Sequence, residues 1–205
     1  MSKLKEFCEM VGRQAKVLSR PNVRKLLSVA GRGRWPQRDQ LIVLFATLAG
    51  LRACEIARLT WAMVLDANGQ VHAVIDVRAN IAKRGTGRRV PTHPKLRRAL
   101  AEWKRMQGAD RTSPEDVVVP SLRGGALQPN SIVNWFVATC KEAGLEGCSS
   151  HSGRRTFITM AARRAHLAGA SLRDVQLLAG HRSIETTQGY IDGDTLAQRR
   201  LVKMI

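Results

Sequence analysis

The sequence predicts an α+β domain that is mainly helical, with one small antiparallel hairpin. Three observations lead there. Apolar residues make up 44% of the 205, enough for a sizeable core and too many for a disordered basic tail. Proline, glycine and capping residues cut the chain into several segments of helical length. Only one stretch, Val71-His72-Ala73-Val74-Ile75-Asp76-Val77, alternates with β-branched residues as a strand does.

The elements follow in order. Residues 1–35 are basic and end in Gly31-Arg32-Gly33-Arg34-Trp35-Pro36, so they read as an N-terminal segment and linker, with the compact domain at 36–205. Asp39 is placed to cap a helix over 40–49, stopped by Gly50. A second helix is expected from Cys54 to Leu59. After the strand, Lys83-Arg84-Gly85-Thr86-Gly87 makes a turn, and Arg88-Arg89-Val90 pairs back as the other half of a hairpin. Pro94 opens a helix to about Met106. Further helices are expected at 129–143, 152–166, 172–178 and 195–202. No internal repeat or low-complexity tract interrupts them.

Composition excludes several classes. No run reaches the ~18 apolar residues of a membrane-spanning helix. The longest candidate, from Leu41 to Leu51, is broken by Thr47 and Gly50. The first ten residues mix Lys and Glu without an apolar stretch, unlike a secretory signal. Cys8, Cys54, Cys140 and Cys148 have no C-x-x-C spacing, which disfavours a zinc ribbon or a disulfide framework. A cytoplasmic chain with reduced thiols is expected.

Charge supplies the positive signal. With 34 Lys and Arg against 16 Asp and Glu, the formal net charge is +18. It is concentrated: residues 1–35 carry +7, residues 82–105 carry +8 and residues 151–173 carry +5, while the rest is slightly acidic. Clustered cations gain by displacing counterions from phosphates, so a nucleic acid is the natural partner. Anionic lipid fits less well, because no basic stretch doubles as an amphipathic anchor. Aromatic residues are only 4% of the chain, which favours a duplex held by its phosphates over a single strand stacked on rings.

Six side chains stand out for chemistry. Tyr190 is the one tyrosine of the chain. His151 and Arg154 stand at i and i+3 near a helix N-terminus, where an anion is favoured. Arg52 follows a helix stop, Lys83 lies near the hairpin tip, and His181 follows Leu178-Ala179-Gly180. Each alone is an unremarkable surface or packing residue. Together they cover metal-free phosphodiester cleavage: guanidiniums for the charge on the non-bridging oxygens, a phenol as nucleophile, and a lysine or histidine to protonate the leaving oxygen. No metal-ligand cluster accompanies them.

These stretches resemble, in order, the motifs of the tyrosine recombinase (phage integrase) family. Ala49-Gly50-Leu51-Arg52 with Glu55-Ile56 and Leu59 is similar to the first arginine box. Lys83 ahead of Arg88-Arg89-Val90-Pro91 is similar to the hairpin lysine. His151-Ser152-Gly153-Arg154-Arg155-Thr156-Phe157, Leu178-Ala179-Gly180-His181 and Thr186-Thr187-Gln188-Gly189-Tyr190 resemble the remaining boxes. The resemblance spans about residues 36–195. It implies the DNA breaking-rejoining catalytic-domain fold and a site-specific recombinase or integrase, acting in the cytoplasm on nucleoid DNA.

By the same resemblance, Tyr190 attacks a DNA phosphate and leaves a 3′-phosphotyrosyl link. Arg52 and Arg154 clamp the non-bridging oxygens, Lys83 is the general acid, His151 a base or proton carrier, and His181 a donor to the phosphate. Glu55 orients the site. Arg84, Arg88, Arg89 and Arg155 are expected on DNA. Neither metal, ATP nor other cofactor is implied. The partners implied are double-stranded DNA and further copies of the chain, as a tetramer on paired sites that is a monomer in free solution. About 35 residues before the match are too few for the helical DNA-binding domain many members carry, so a short form or a truncated chain is expected. Two other readings remain open: a non-catalytic DNA-binding regulator on the same scaffold, and a type IB topoisomerase-like relaxing enzyme.

Overall fold

A computed structural model describes residues 15–82, 85–190 and 202–203. Eight α-helices and one two-stranded sheet are found among them: α1 (Arg20–Ala30), α2 (Pro36–Leu48), α3 (Ala53–Arg58), β1 (Val74–Val77), β2 (Arg88–Pro91), α4 (Pro94–Gln107), α5 (Pro129–Glu142), α6 (Ser150–Arg164), α7 (Leu172–Ala179) and α8 (Ile184–Gln188). The mainly helical architecture with a single antiparallel hairpin is the expected one.

Proline starts α2, α4 and α5, where a missing N–H costs nothing and φ is already helical. Asp39, expected as a cap, therefore lies inside α2. Its carboxylate is buried and accepts from Nε and Nη2 of Arg38, at 2.9 and 2.7 Å. The strand is shorter than expected, because Val71 is spent in an isolated bridge with Leu65. The helix expected at 195–202 falls outside the described residues except for its last position.

The N-terminal segment is the larger departure. Residues 20–30, read as part of a linker, form α1, which starts on the Ser19 cap and contributes Leu26 and Ala30 to the main core. Leu18 is buried beside them, its N–H donating to Thr156 Oγ1 in α6 at 2.8 Å. The compact unit thus begins well before Pro36.

One core gathers the buried faces of α1 to α5 and the hairpin, with Phe45, Trp61 and Phe136 among its largest members. α6 lies against α2 so closely that a Cβ on Gly153 would stand 2.7 Å from Ala46 Cβ; only glycine lets these helices approach. A smaller cluster of Ile158, Val175 and Ala179 joins α6 to α7, and Tyr190 packs on its edge. In the hairpin, Ile75 faces Val90 and Val77 faces Arg88. Strand alternation then sends Arg88 and Val90 inward and Arg89 outward.

Candidate active site

Arg52 is the N-cap of α3, in extended conformation just after Leu51. Its position is fixed by Glu55, one turn into the helix. The Arg52 backbone N–H donates to Glu55 Oε2 at 2.8 Å, and Arg52 Nη1 donates to Oε1 at 3.0 Å. Arg88 completes the carboxylate's shell, with Nη1 on Oε1 and Nη2 on Oε2, both at 2.8 Å. Four donors thus occupy the four acceptor positions of one fully buried carboxylate. Burial by itself would raise the Glu55 carboxyl. The hydrogen bonds and charge of Arg88, then those of Arg52, outweigh it and hold the group at about 2.

Arg154 projects from the second turn of α6, whose start is fixed by Ser149 and Ser152 capping one another. The guanidinium is buried. Nη1 donates to the Gly50 carbonyl, 104 residues away in sequence, and Nη2 donates to the Ala179 carbonyl at 2.6 Å. These two contacts set its plane between the α2–α3 turn and the end of α7. Burial, then the charges of Arg52 and Arg88, lower its pKa to about 10, which leaves it a cation at neutral pH.

His181 follows the Gly180 cap of α7 and is mostly buried. Its Nε2 lies 3.1 Å from Arg154 Nη2 and its Nδ1 lies 3.0 Å from Thr187 Oγ1. Because a guanidinium only donates, Nε2 is the accepting nitrogen and Nδ1 carries the proton. Burial and the neighbouring Arg154, Arg52 and Arg88 charges push the ring down to about 4, so it is neutral at pH 7.

Tyr190 closes the arrangement. Its ring stacks on His181 with centroids 5.2 Å apart, and the Arg155 guanidinium lies 5.4 Å from its centroid. Thr159 Oγ1 donates to its backbone carbonyl at 3.1 Å, tying the end of α8 to α6. The phenol is half-buried at the edge of the small cluster rather than locked in the main core.

The structure therefore brings together Arg52, Glu55, Arg154, His181 and Tyr190 from α3, α6 and the α7–α8 region. His151 is exposed in the first turn of α6, ahead of Arg154 on the same helix. Lys83 and Arg84 lie outside the described residues. Of the arginines expected on DNA, Arg89 is exposed, opposite Asp76 in the register. Arg88 and Arg155 are not surface contacts: both are buried, one on Glu55 and one against Tyr190. The correction for Arg88 was available in the strand itself, since the residue two before an inward Val90 must also face inward. Among the described residues no group of three or more His, Cys, Asp or Glu is placed to hold a metal ion, and no helix is long and apolar enough to cross a membrane.

Residues 16–196 match the model of the phage integrase family. The chain belongs to that family, that of the tyrosine recombinases. It is 31% identical over 157 residues to tyrosine recombinase XerC of Corynebacterium efficiens, covering 75% of this chain and 46% of that protein. To tyrosine recombinase XerD of Pseudomonas putida it is 32% identical over 181 residues, covering 85% and 56%. The chain thus spans about half the length of such curated relatives. Among solved structures, XerA recombinase superposes with a TM-score of 0.72 at 22% identity, over 95% of this chain and 64% of that one. XerH site-specific recombinase, bound to a palindromic difH substrate after cleavage, gives 0.71 at 21% identity, over 91% and 51%. The fold is that of tyrosine recombinase catalytic domains.

Proposed function

We propose that this member of the family is a site-specific DNA strand transferase, a recombinase or integrase that works through a 3′-phosphotyrosine. The observation that carries the reading is the meeting of Arg52, Arg154, His181 and Tyr190 in one cationic cluster. The guanidiniums of Arg52 and Arg88 pair with the single carboxylate of Glu55 and that of Arg154 lies close by, so these four groups hold a surplus of two positive charges. A phosphodiester brings one negative charge and gains a second as its phosphorus becomes five-coordinate. The surplus thus matches the transition state better than the ground state, which is the condition for acceleration.

In this reading Tyr190 Oη attacks the phosphorus and forms the phosphotyrosyl bond as the bond to the 5′-oxygen breaks. That oxygen takes a proton from Lys83, which stands between β1 and β2 in the chain. Arg52 and Arg154 hold the non-bridging oxygens. An entering phosphate offsets the Arg154, Arg52 and Arg88 charges that add to burial in keeping His181 neutral, which favours a second proton on that ring and lets it donate to the phosphate. His151, exposed at the start of α6, exchanges protons with Tyr190. Because the phosphotyrosyl bond stores the cleaved linkage, a new 5′-hydroxyl reverses the step with neither metal nor ATP. Arg89 and the basic segments bind the duplex backbone, and paired sites are joined by four copies of the chain.

The test uses a pool of short nicked duplexes with a randomised centre. Wild type should give a protein–DNA adduct that survives denaturation, and Tyr190→Phe should give none. Absence of any adduct favours a non-catalytic DNA-binding regulator. Adducts accompanied by plasmid relaxation but no joining of two duplexes favour a type IB topoisomerase-like enzyme.

A further inference from the structure

Within that strand-transfer reading, we propose that Arg88 is a positioning residue: it fastens the hairpin, the Arg52 segment and the end of α7 into one rigid frame. Its guanidinium spends Nη1 and Nη2 on Glu55 and Nε on the Leu178 carbonyl, at 2.8, 2.8 and 2.9 Å. Its side chain is only 4% exposed. The sequence offered it as a DNA contact, but a group so placed has no path to a duplex phosphate. Each of its contacts instead leads to a segment that bears a site residue. Glu55 holds Arg52 through both backbone and side chain. Leu178 lies three residues before His181. Arg88 itself begins the strand that follows Lys83 in the chain.

The packing is fitted to a guanidinium. Gly180 has φ +62°, and a Cβ there would stand 2.9 Å from Arg88 Cδ, so the stem of Arg88 fills the space that glycine leaves. Planarity matters as well. A fork reaches both carboxylate oxygens while its Nε still points along the chain to Leu178, whereas an ammonium offers one point of charge. Glu55 is faced by Arg52 and Arg88, with the charge of Arg154 close by and His181 neutral beyond it. Without Arg88, its carboxylate is free to turn toward Arg52 alone and draw that guanidinium away from the phosphate.

The experiment compares wild type, Arg88→Lys, Arg88→Met, Glu55→Gln and the double variant Arg88→Met/Glu55→Gln on a nicked duplex recovered from the pool above. Unfolding midpoints identify the temperature at which each is folded, and Arg88→Lys serves if Arg88→Met is not. Three quantities are read: affinity against salt, the single-turnover rate of adduct formation at saturating DNA, and the pH dependence of that rate between pH 5 and 8. A positioning role predicts an unchanged salt slope and a rate lowered on the order of 10- to 100-fold, by analogy with the loss when residues that orient metal ligands are removed. It also predicts a new acid limb in Arg88→Met as Glu55 begins to take up protons, and little further loss on adding Arg88→Met to Glu55→Gln. A salt slope reduced by about 1 with a normal saturated rate would mark a phosphate contact and overturn the proposal. So would a rate loss that adds fully to that of Glu55→Gln with no change in pH profile. Wild type that forms no adduct overturns the strand-transfer reading itself; wild type that does, with Arg88 variants of equal rate, overturns only the role of Arg88.

Discussion

Replacing Glu55 by glutamine tests the electrostatics of the site through stability, without DNA. The carboxylate is fully buried and accepts four hydrogen bonds, two from Arg88 and two from Arg52. Two routes give the expected cost at neutral pH. Breaking a buried pair by removing one partner typically costs about 3–5 kcal/mol, because the other charge stays buried. Independently, Glu55 lies at about 2 in the folded protein against an ordinary 4.5. At ~1.36 kcal/mol per pKa unit, that difference is worth roughly 3 kcal/mol. Since the folded value is the lower one, the contribution is complete above pH 4.5 and is lost as the pH falls toward 2. Glutamine keeps part of the hydrogen bonding, so a loss of about 3 kcal/mol is expected, a large share of a typical domain's stability. Urea unfolding at pH 7 and at steps down to pH 3 measures both quantities. The variant should be less stable at pH 7 and should lack the part of the acid limb that Glu55 supplies. A change under about 0.5 kcal/mol at pH 7, the size of an ordinary surface substitution, would refute the buried-pair account.

Other outcomes follow from the same geometry. His181 sits at about 4, below the 6.5 of a free imidazole, so the unfolded chain binds the extra proton between those values. Stability should fall as pH drops from 6.5 toward 4, and His181→Gln should flatten that stretch of the unfolding curve. Arg154→Lys should abolish adduct formation while leaving salt-sensitive DNA binding largely intact, since many other cations remain; loss of binding in a folded variant would contradict its role. Arg154→Ala should also destabilise the protein by about 1–3 kcal/mol for each buried carbonyl, Gly50 and Ala179, that it leaves unpaired, as read by urea unfolding. Arg89→Ala, at an exposed strand position, should weaken binding on all duplexes alike and lower the salt slope by about 1.

The sequence by itself determined the family and much of the local structure. Helix starts at Pro94 and Pro129 and the stop at Gly50 depend on interactions within a few residues, so they can be read from spacing. The five motifs, in order, pointed to the family and to the candidate site residues. α1 was legible too, since Val23, Leu26, Leu27 and Ala30 recur at helical intervals. Its basic neighbours and the glycines that follow made it look like a linker, and only burial in the common core shows otherwise. Tertiary structure alone decided what the inward-facing cations meet. Arg88 and Arg155 carry the same guanidinium as Arg89, and composition cannot separate a charge that meets DNA from one that meets Glu55 or the Tyr190 ring. Those contacts join residues 33 and more apart in the chain, and they form only because α3, α6, α7 and the hairpin pack edge to edge. Local periodicity can specify the face of each element, whereas the partner on that face is set by how the elements meet.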